Sequence, residues 1–181
     1  AGHGSRMSGA TKNGIQEKDI NLDIVLQLKA LFDAYDGNIG VYYTRTDDSN
    51  PTLQQRAELA NKAGADLFIS VHNNSSGTGN FTSVNGTQVL YSESDDRELG
   101  SKKLAQICLD NVTAATGSND FGLLKADDIY IVRSSEAPVA LIEVGFMTNR
   151  DELAKLADPE YQKTAAQGIF NAVLEAVKEG Y

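Results

Sequence analysis

The sequence predicts a single α/β domain: a twisted, mostly parallel sheet with helices on both faces. Three observations lead there. The runs Leu67-Phe68-Ile69-Ser70-Val71 and Val139-Ala140-Leu141-Ile142 are apolar almost without alternation, as strands covered on both faces are. Around them, apolar residues recur at three- and four-residue spacing, which is the period of a helix face. The length, 181 residues, suits one domain that buries roughly 70% of the surface its unfolded chain would expose. Strands alternating with helices in this way call for a largely parallel sheet.

Taken in order, a glycine-rich opening (Gly2, Gly4, Gly9, Gly14) gives way to a helix face traced by Leu22, Val25, Leu28, Phe32 and Tyr35, starting near Glu17. Val41-Tyr42-Tyr43-Thr44 reads as a short strand. Thr52 with Gln55 forms a capping box that opens a helix reaching Lys62. The apolar strand at 67–71 ends at His72. Residues 75–86, rich in Gly, Ser, Thr and Asn, form a loop of the kind that borders binding sites. A strand follows at Thr87-Gln88-Val89-Leu90-Tyr91, then a helix over 97–116, and 129–133 is read as a further strand. Beyond the strand that carries Glu143, Asn149 caps a short helix. Asp158-Pro159 opens the last helix, whose inner stripe is Ile169, Val173 and Val177. No internal repeat or linker interrupts the chain. Because sites in such sheets form beyond the carboxyl ends of strands, His72 and Glu143 are expected at one rim.

Bulk chemistry narrows the function. A net charge of -9 opposes binding to a phosphate backbone, so no nucleic-acid partner is expected. No apolar run approaches the ~20 residues of a membrane span. Cys108 is the only cysteine, so no disulfide framework reports a compartment, and its helical setting points to the core.

Only two histidines occur, His3 between two glycines and His72 at its strand. A histidine at a strand end is, on its own, more often a structural or solvated residue than a ligand, so neither carries the reading alone. Glu17 opens a helix, where the helix dipole favours a carboxylate with or without a function. Glu143 interrupts an apolar strand, where an unpaired charge would cost several kcal/mol, so it needs either a role or an ion-pair partner such as Arg133 or Arg45. Two histidines and one carboxylate make the protein ligand set of a catalytic zinc site, and a second acid could serve as base. Composition alone does not bring the four together.

A resemblance does. Ala1-Gly2-His3-Gly4, 14–22, Thr44-Arg45, 53–56, Ala65 through His72-Asn73-Asn74, and Leu141-Ile142-Glu143-Val144-Gly145-Phe146-Met147-Thr148-Asn149 resemble, in order and spacing, the zinc-dependent N-acetylmuramoyl-L-alanine amidases. The likeness covers nearly the whole chain, 1–181 as one catalytic domain. It implies that His3, Glu17 and His72 hold Zn2+ and that Glu143 is the catalytic acid and base. It implies cleavage of the amide joining N-acetylmuramic acid to the first L-alanine of the stem peptide. Asn74 is implied as a substrate or supporting contact, with an ordinary turn role left open. The resemblance further implies peptidoglycan or muropeptides as partner, action as a monomer, and an extracellular or cell-wall location. The strand, and any export or wall-binding module, that precede the Ala-Gly-His segment in relatives are expected upstream of Ala1. Asp120-Phe121-Gly122 has Phe where relatives often carry Arg, so no substrate contact is assigned there. Some relatives also carry a long helical insertion over the zinc, for which 92–100 leaves no room. Two readings with the same residues stand beside this one: a zinc carboxypeptidase or peptidase acting on ordinary peptides, and a wall-binding module without chemistry.

Overall fold

The computed structural model describes residues 1–77 and 79–181. A two-residue hairpin opens it, β1 (Thr11–Lys12) paired antiparallel with β2 (Ile15–Gln16). Its turn residues, Asn13 and Gly14, both have positive φ (51° and 81°), as tight hairpin turns that match strand twist require. Helix α1 (Glu17–Asp33) follows at once, starting at the residue the sequence indicates. Helix α2 (Leu53–Ala63) is opened by the complete Thr52/Gln55 capping box and closed by left-handed Gly64. Then come β3 (Phe68–Asn74), β4 (Thr87–Tyr91), α3 (Ser101–Thr116), β5 (Asp120–Lys125), α4 (Tyr130–Ser134), β6 (Val139–Phe146), α5 (Arg150–Leu156) and α6 (Pro159–Glu179). The side chains of Asn149 and Asp158 accept the free amides at the starts of α5 and α6.

The main sheet has the order β3-β6-β4-β5. β3 and β6 run parallel, as do β4 and β5, while β4 and β6 are antiparallel. Two of three ladders are thus parallel, in a mixed α/β sheet. Val71, Val89, Ala140, Ile142 and Val144 pack from one face against α1, α3 and α6 in the larger core. On the other face, Leu90, Val139 and Leu141 meet Ile131 and Val132 of the short α4. Three long helices therefore cover one face and α4 only part of the other.

Local expectations and the structure part in five places. Residues 41–44 form no strand: Val41 and Tyr42 are exposed, and β propensity without a neighbouring ladder does not make a strand. Residues 129–133 enter helix α4 instead of a strand, since so short an apolar run carries no period that separates the two. Helix α3 begins at Ser101 and not at 97, because the Asp95 carboxylate accepts both the amide (2.8 Å) and the hydroxyl (2.7 Å) of Ser101. β5 is a mostly exposed edge strand with weak local signal. His72 and Glu143 also lie within their strands, two and three residues before the ends, and not at the tips.

Candidate metal and catalytic site

On the sparsely covered face the rungs of the sheet change character. Leu90 pairs with Leu141, which pairs with Ser70; one rung on, Gln88 pairs with Glu143, and Glu143 with His72. Partners on a rung point to the same face. The apolar floor under α4 thus ends in a polar row, His72–Glu143–Gln88, on three adjacent strands.

Glu17 reaches this row around the edge of β3. Its Oε1 lies 3.0 Å from His72 Nδ1 and 3.1 Å from His3 Nε2, and the two rings meet edge to face with centroids 4.9 Å apart. One donor atom from each of the three falls within 4.8 Å of the others. Tetrahedral ligands ~2.1 Å from a common centre stand roughly 3.4 Å apart, so this donor set suits a zinc-sized ion. Burial pushes the Glu17 carboxyl up, but hydrogen bonds with His3 and His72 outweigh it and hold the group well below the usual carboxylate range. Burial lowers the pKa of His72, more than Glu17 raises it, which favours the neutral ring. Asn21, one turn along α1, donates to Glu17 Oε1 (3.2 Å), as does the amide of Asn73 (3.2 Å), and Ala10 N–H donates to Oε2 (2.9 Å).

The opening segment is shaped around these rings. A Cβ on Gly2 would fall 2.2 Å from the His72 ring, and one on Gly9 would fall 2.3 Å from Glu17 Oε2. His3 itself has φ +56°, a left-handed conformation costing about 1–2 kcal/mol in a residue with a side chain. Two arginines hold it there. Arg56 donates to the carbonyls of Ala1 (2.6 Å) and His3 (2.8 Å), and Arg45 to those of Gly2 (2.7 Å) and Lys18 (2.8 Å).

Glu143 keeps company with the cluster without joining it. Its Oε2 is buried and has no hydrogen-bond partner among the described residues. Burial first, and the Glu17 charge second, push its carboxyl up to about 8. Neither suggested ion-pair partner reaches it: Arg45 is committed to backbone carbonyls and Arg133 donates to the carbonyl of Asp128. Asn74 sits at the end of β3, where its Oδ1 accepts Ser75 N–H (2.8 Å) and its Nδ2 donates to Gln88 Oε1 (3.2 Å).

The sequence left Gln88, Asn21 and the roles of Arg45 and Arg56 unread. Asn21 alone had a local signal, standing four residues after Glu17 on one helix face.

Metal-type donors beside a protonatable carboxylate, on the open face of an α/β sheet, are the equipment of an amide hydrolase. A family model described as N-acetylmuramoyl-L-alanine amidase matches residues 1–175, and the chain belongs to that family. It is 36% identical over 173 residues to the uncharacterized protein YqiI of Bacillus subtilis (strain 168), covering 96% of this chain and 80% of YqiI. With the amidase LytC of the same organism identity is 34% over 173 residues, 96% of this chain but 34% of LytC, so the chain spans about a third of that relative. Among solved structures, an N-acetylmuramoyl-L-alanine amidase from Clostridium difficile 630 superposes with a TM-score of 0.91 at 32% identity, covering 99% of this chain and 95% of the other. The catalytic domain of the amidase CwlV from Bacillus (Paenibacillus) polymyxa var. colistinus gives 0.89 at 33% identity, covering 98% and 95%. The reaction class is therefore N-acetylmuramoyl-L-alanine amidase activity on peptidoglycan, and the peptidase and non-catalytic readings fall away.

Proposed function

We propose that this chain is a zinc-dependent amidase acting as a monomer outside the cell or in its wall, with His3, Glu17 and His72 as ligands and Glu143 as the group that moves protons. The observation that carries the reading is the buried, unpaired Glu143 Oε2 on the rung beside His72. Zinc, when bound, supplies positive charge that polarises the scissile carbonyl and eases loss of a proton from water. His3 and His72 offer ring nitrogens; Glu17 offers an anionic oxygen held in place by Asn21 and the Asn73 amide. Glu143, whose carboxyl burial pushes up to about 8 without a metal, would take a proton from the attacking water and return one to the departing alanine nitrogen, one carboxyl serving both halves.

The reading is tested by incubating the protein with muropeptides, with and without a chelator, and weighing the products. A stem peptide with a new N-terminal alanine, formed only with metal present, is expected; intact muropeptides in the presence of zinc would reject it.

For the domain as a whole, we infer one more strand, from residues before Ala1, alongside β3. A groove of about 490 Å³ lined by Ala1, Phe32, Tyr43, Leu67 and Ile69 runs there. Phe68 N–H donates toward β6, so by alternation Ile69 and Val71 face the outer edge, where Val71 O accepts Gly2 N–H. A longer N-terminal form should protect the Ile69 and Val71 amides from hydrogen exchange; unchanged exchange would count against the added strand.

A further inference from the structure

We propose that Gln88 contacts the substrate, donating its carboxamide N–H to a carbonyl beside the scissile amide, and that Asn74 is the positioning residue that makes Gln88 present nitrogen and not oxygen. The inference rests on the amidase reading above and deepens it at a residue that lies on another strand from every proposed ligand.

The placement comes from the sheet. Gln88 is the antiparallel partner of Glu143, on the face where His72 lies to the other side of Glu143. Paired Cβ atoms in such a ladder stand about 5 Å apart, so Gln88 and Glu143 flank one gap. Gln88 is half-buried, and it is the one polar residue of β4 on this face, where Leu90 continues the floor. Among the described residues the two side chains make no hydrogen bond to each other, and Glu143 Oε2 has no partner.

The orientation comes from a chain of amides. A side-chain amide offers both a donor and an acceptor end, and which end faces a ligand depends on what the other is bound to. Ser75 N–H can only donate, so the Asn74 atom it meets at 2.8 Å is the oxygen. Asn74 Nδ2 is thereby left as a donor, and the atom it meets at 3.2 Å is the Gln88 oxygen. Gln88 Nε2 then carries two N–H groups with no partner among the described residues, beside the group that moves the proton. A peptide carbonyl is the acceptor that complements them.

Three variants test this against zinc content, melting temperature and turnover of a small muropeptide. Gln88→Ala should keep zinc and fold while kcat/KM falls about 10-fold or more, as loss of a positioned donor does. Asn74→Asp is the sharper probe. A carboxylate still accepts Ser75 N–H, so a residue serving only the turn would tolerate it. It cannot donate to the Gln88 oxygen, however, and it attracts Gln88 Nε2 to itself, so activity should fall about as far as in Gln88→Ala. For a readout without turnover, muropeptide affinity should be about 3- to 10-fold weaker in Glu143→Gln/Gln88→Ala than in Glu143→Gln, the worth of one hydrogen bond. Wild-type rates and affinity in the Gln88→Ala variants would overturn the contact; a fully active Asn74→Asp would overturn the positioning. If the unaltered protein cleaves muropeptides and these variants match it, this inference alone fails. If the zinc-loaded protein cleaves none, the amidase reading fails and takes this one with it.

Discussion

Glu143 and His72 are register partners in the parallel ladder of β3 and β6, yet their side chains part company: the His72 ring turns to Glu17, and Glu143 Oε2 is left buried with no hydrogen-bond partner among the described residues. The proposed ligand and the proposed base are thereby separable by mutation. Glu143→Gln keeps shape and polarity but cannot accept a proton, so muropeptide hydrolysis should fall by ~10²-fold or more while zinc stays bound. Metal analysis and turnover on one preparation check this, and full turnover would remove Glu143 from the chemistry.

The same carboxyl should leave a mark on stability once the metal is stripped. Its folded pKa of about 8 lies above the ~4.3 of an unfolded glutamate, so the folded state holds a proton the unfolded state gives up. Stability from this group is complete below the unfolded pKa and is lost as pH rises through about 8, a change on the order of a few kcal/mol. With chelator present, Glu143→Gln should therefore gain melting temperature relative to wild type between pH 5 and 9. Parallel melting curves across that range would speak against a buried, unpaired acid.

Two glycines make a matched pair. Gly9→Ala would thrust a methyl to 2.3 Å from Glu17 Oε2 and 2.6 Å from the His3 ring, at a backbone φ of +66°. Zinc affinity should drop by at least about 10-fold, the usual scale for disturbing what supports metal ligands. Gly14→Ala shares the positive φ but meets nothing within 4 Å, so it should cost about 1 kcal/mol of stability and leave zinc affinity unchanged. Equal affinities in the two variants, measured by competition with a chelating dye, would contradict this.

Residues 92–100 are short and tied down. Asp127 accepts from the Ser92 hydroxyl (2.6 Å), the Glu93 amide (2.9 Å) and the Ser94 hydroxyl (2.9 Å), and Asp95 accepts from Ser101. Nothing in this connection can fold over the polar row and be withdrawn, so the isolated protein should cleave small muropeptides with no partner added. Strict dependence on a second protein in that assay would refute this.

How far the fold could be read ahead depended on whether a signal was local. The apolar runs of β3 and β6, the Thr52/Gln55 box and the Asp158-Pro159 start each carry their structure within a few residues, and each appears where expected. β5 and α4 do not, since one is a mostly exposed edge strand and the other is fixed by packing against Leu90 and Leu141. His3 and His72 stood out by scarcity and Glu143 by its apolar strand, while Glu17 entered only through the family resemblance. Gln88 did not stand out, because only the β4–β6 register sets it beside Glu143. Arg45 was read only as a possible ion-pair partner of Glu143, and Arg56 only within a family-like segment; the backbone carbonyls they grip lie far from them in the chain.

The lopsided helix cover bears on what the protein can approach. A cell wall is a cross-linked mesh, and its chains cannot thread one end into a deep cavity. Because three long helices crowd one face, the row of His72, Glu143 and Gln88 lies along a ledge that α1, α3 and α6 leave uncovered, with Glu143 Oε2 sunk below its surface. A strand anchored at both ends can be laid across such a ledge and lifted off again after the cut. The architecture is that of a tool applied sideways to a fabric.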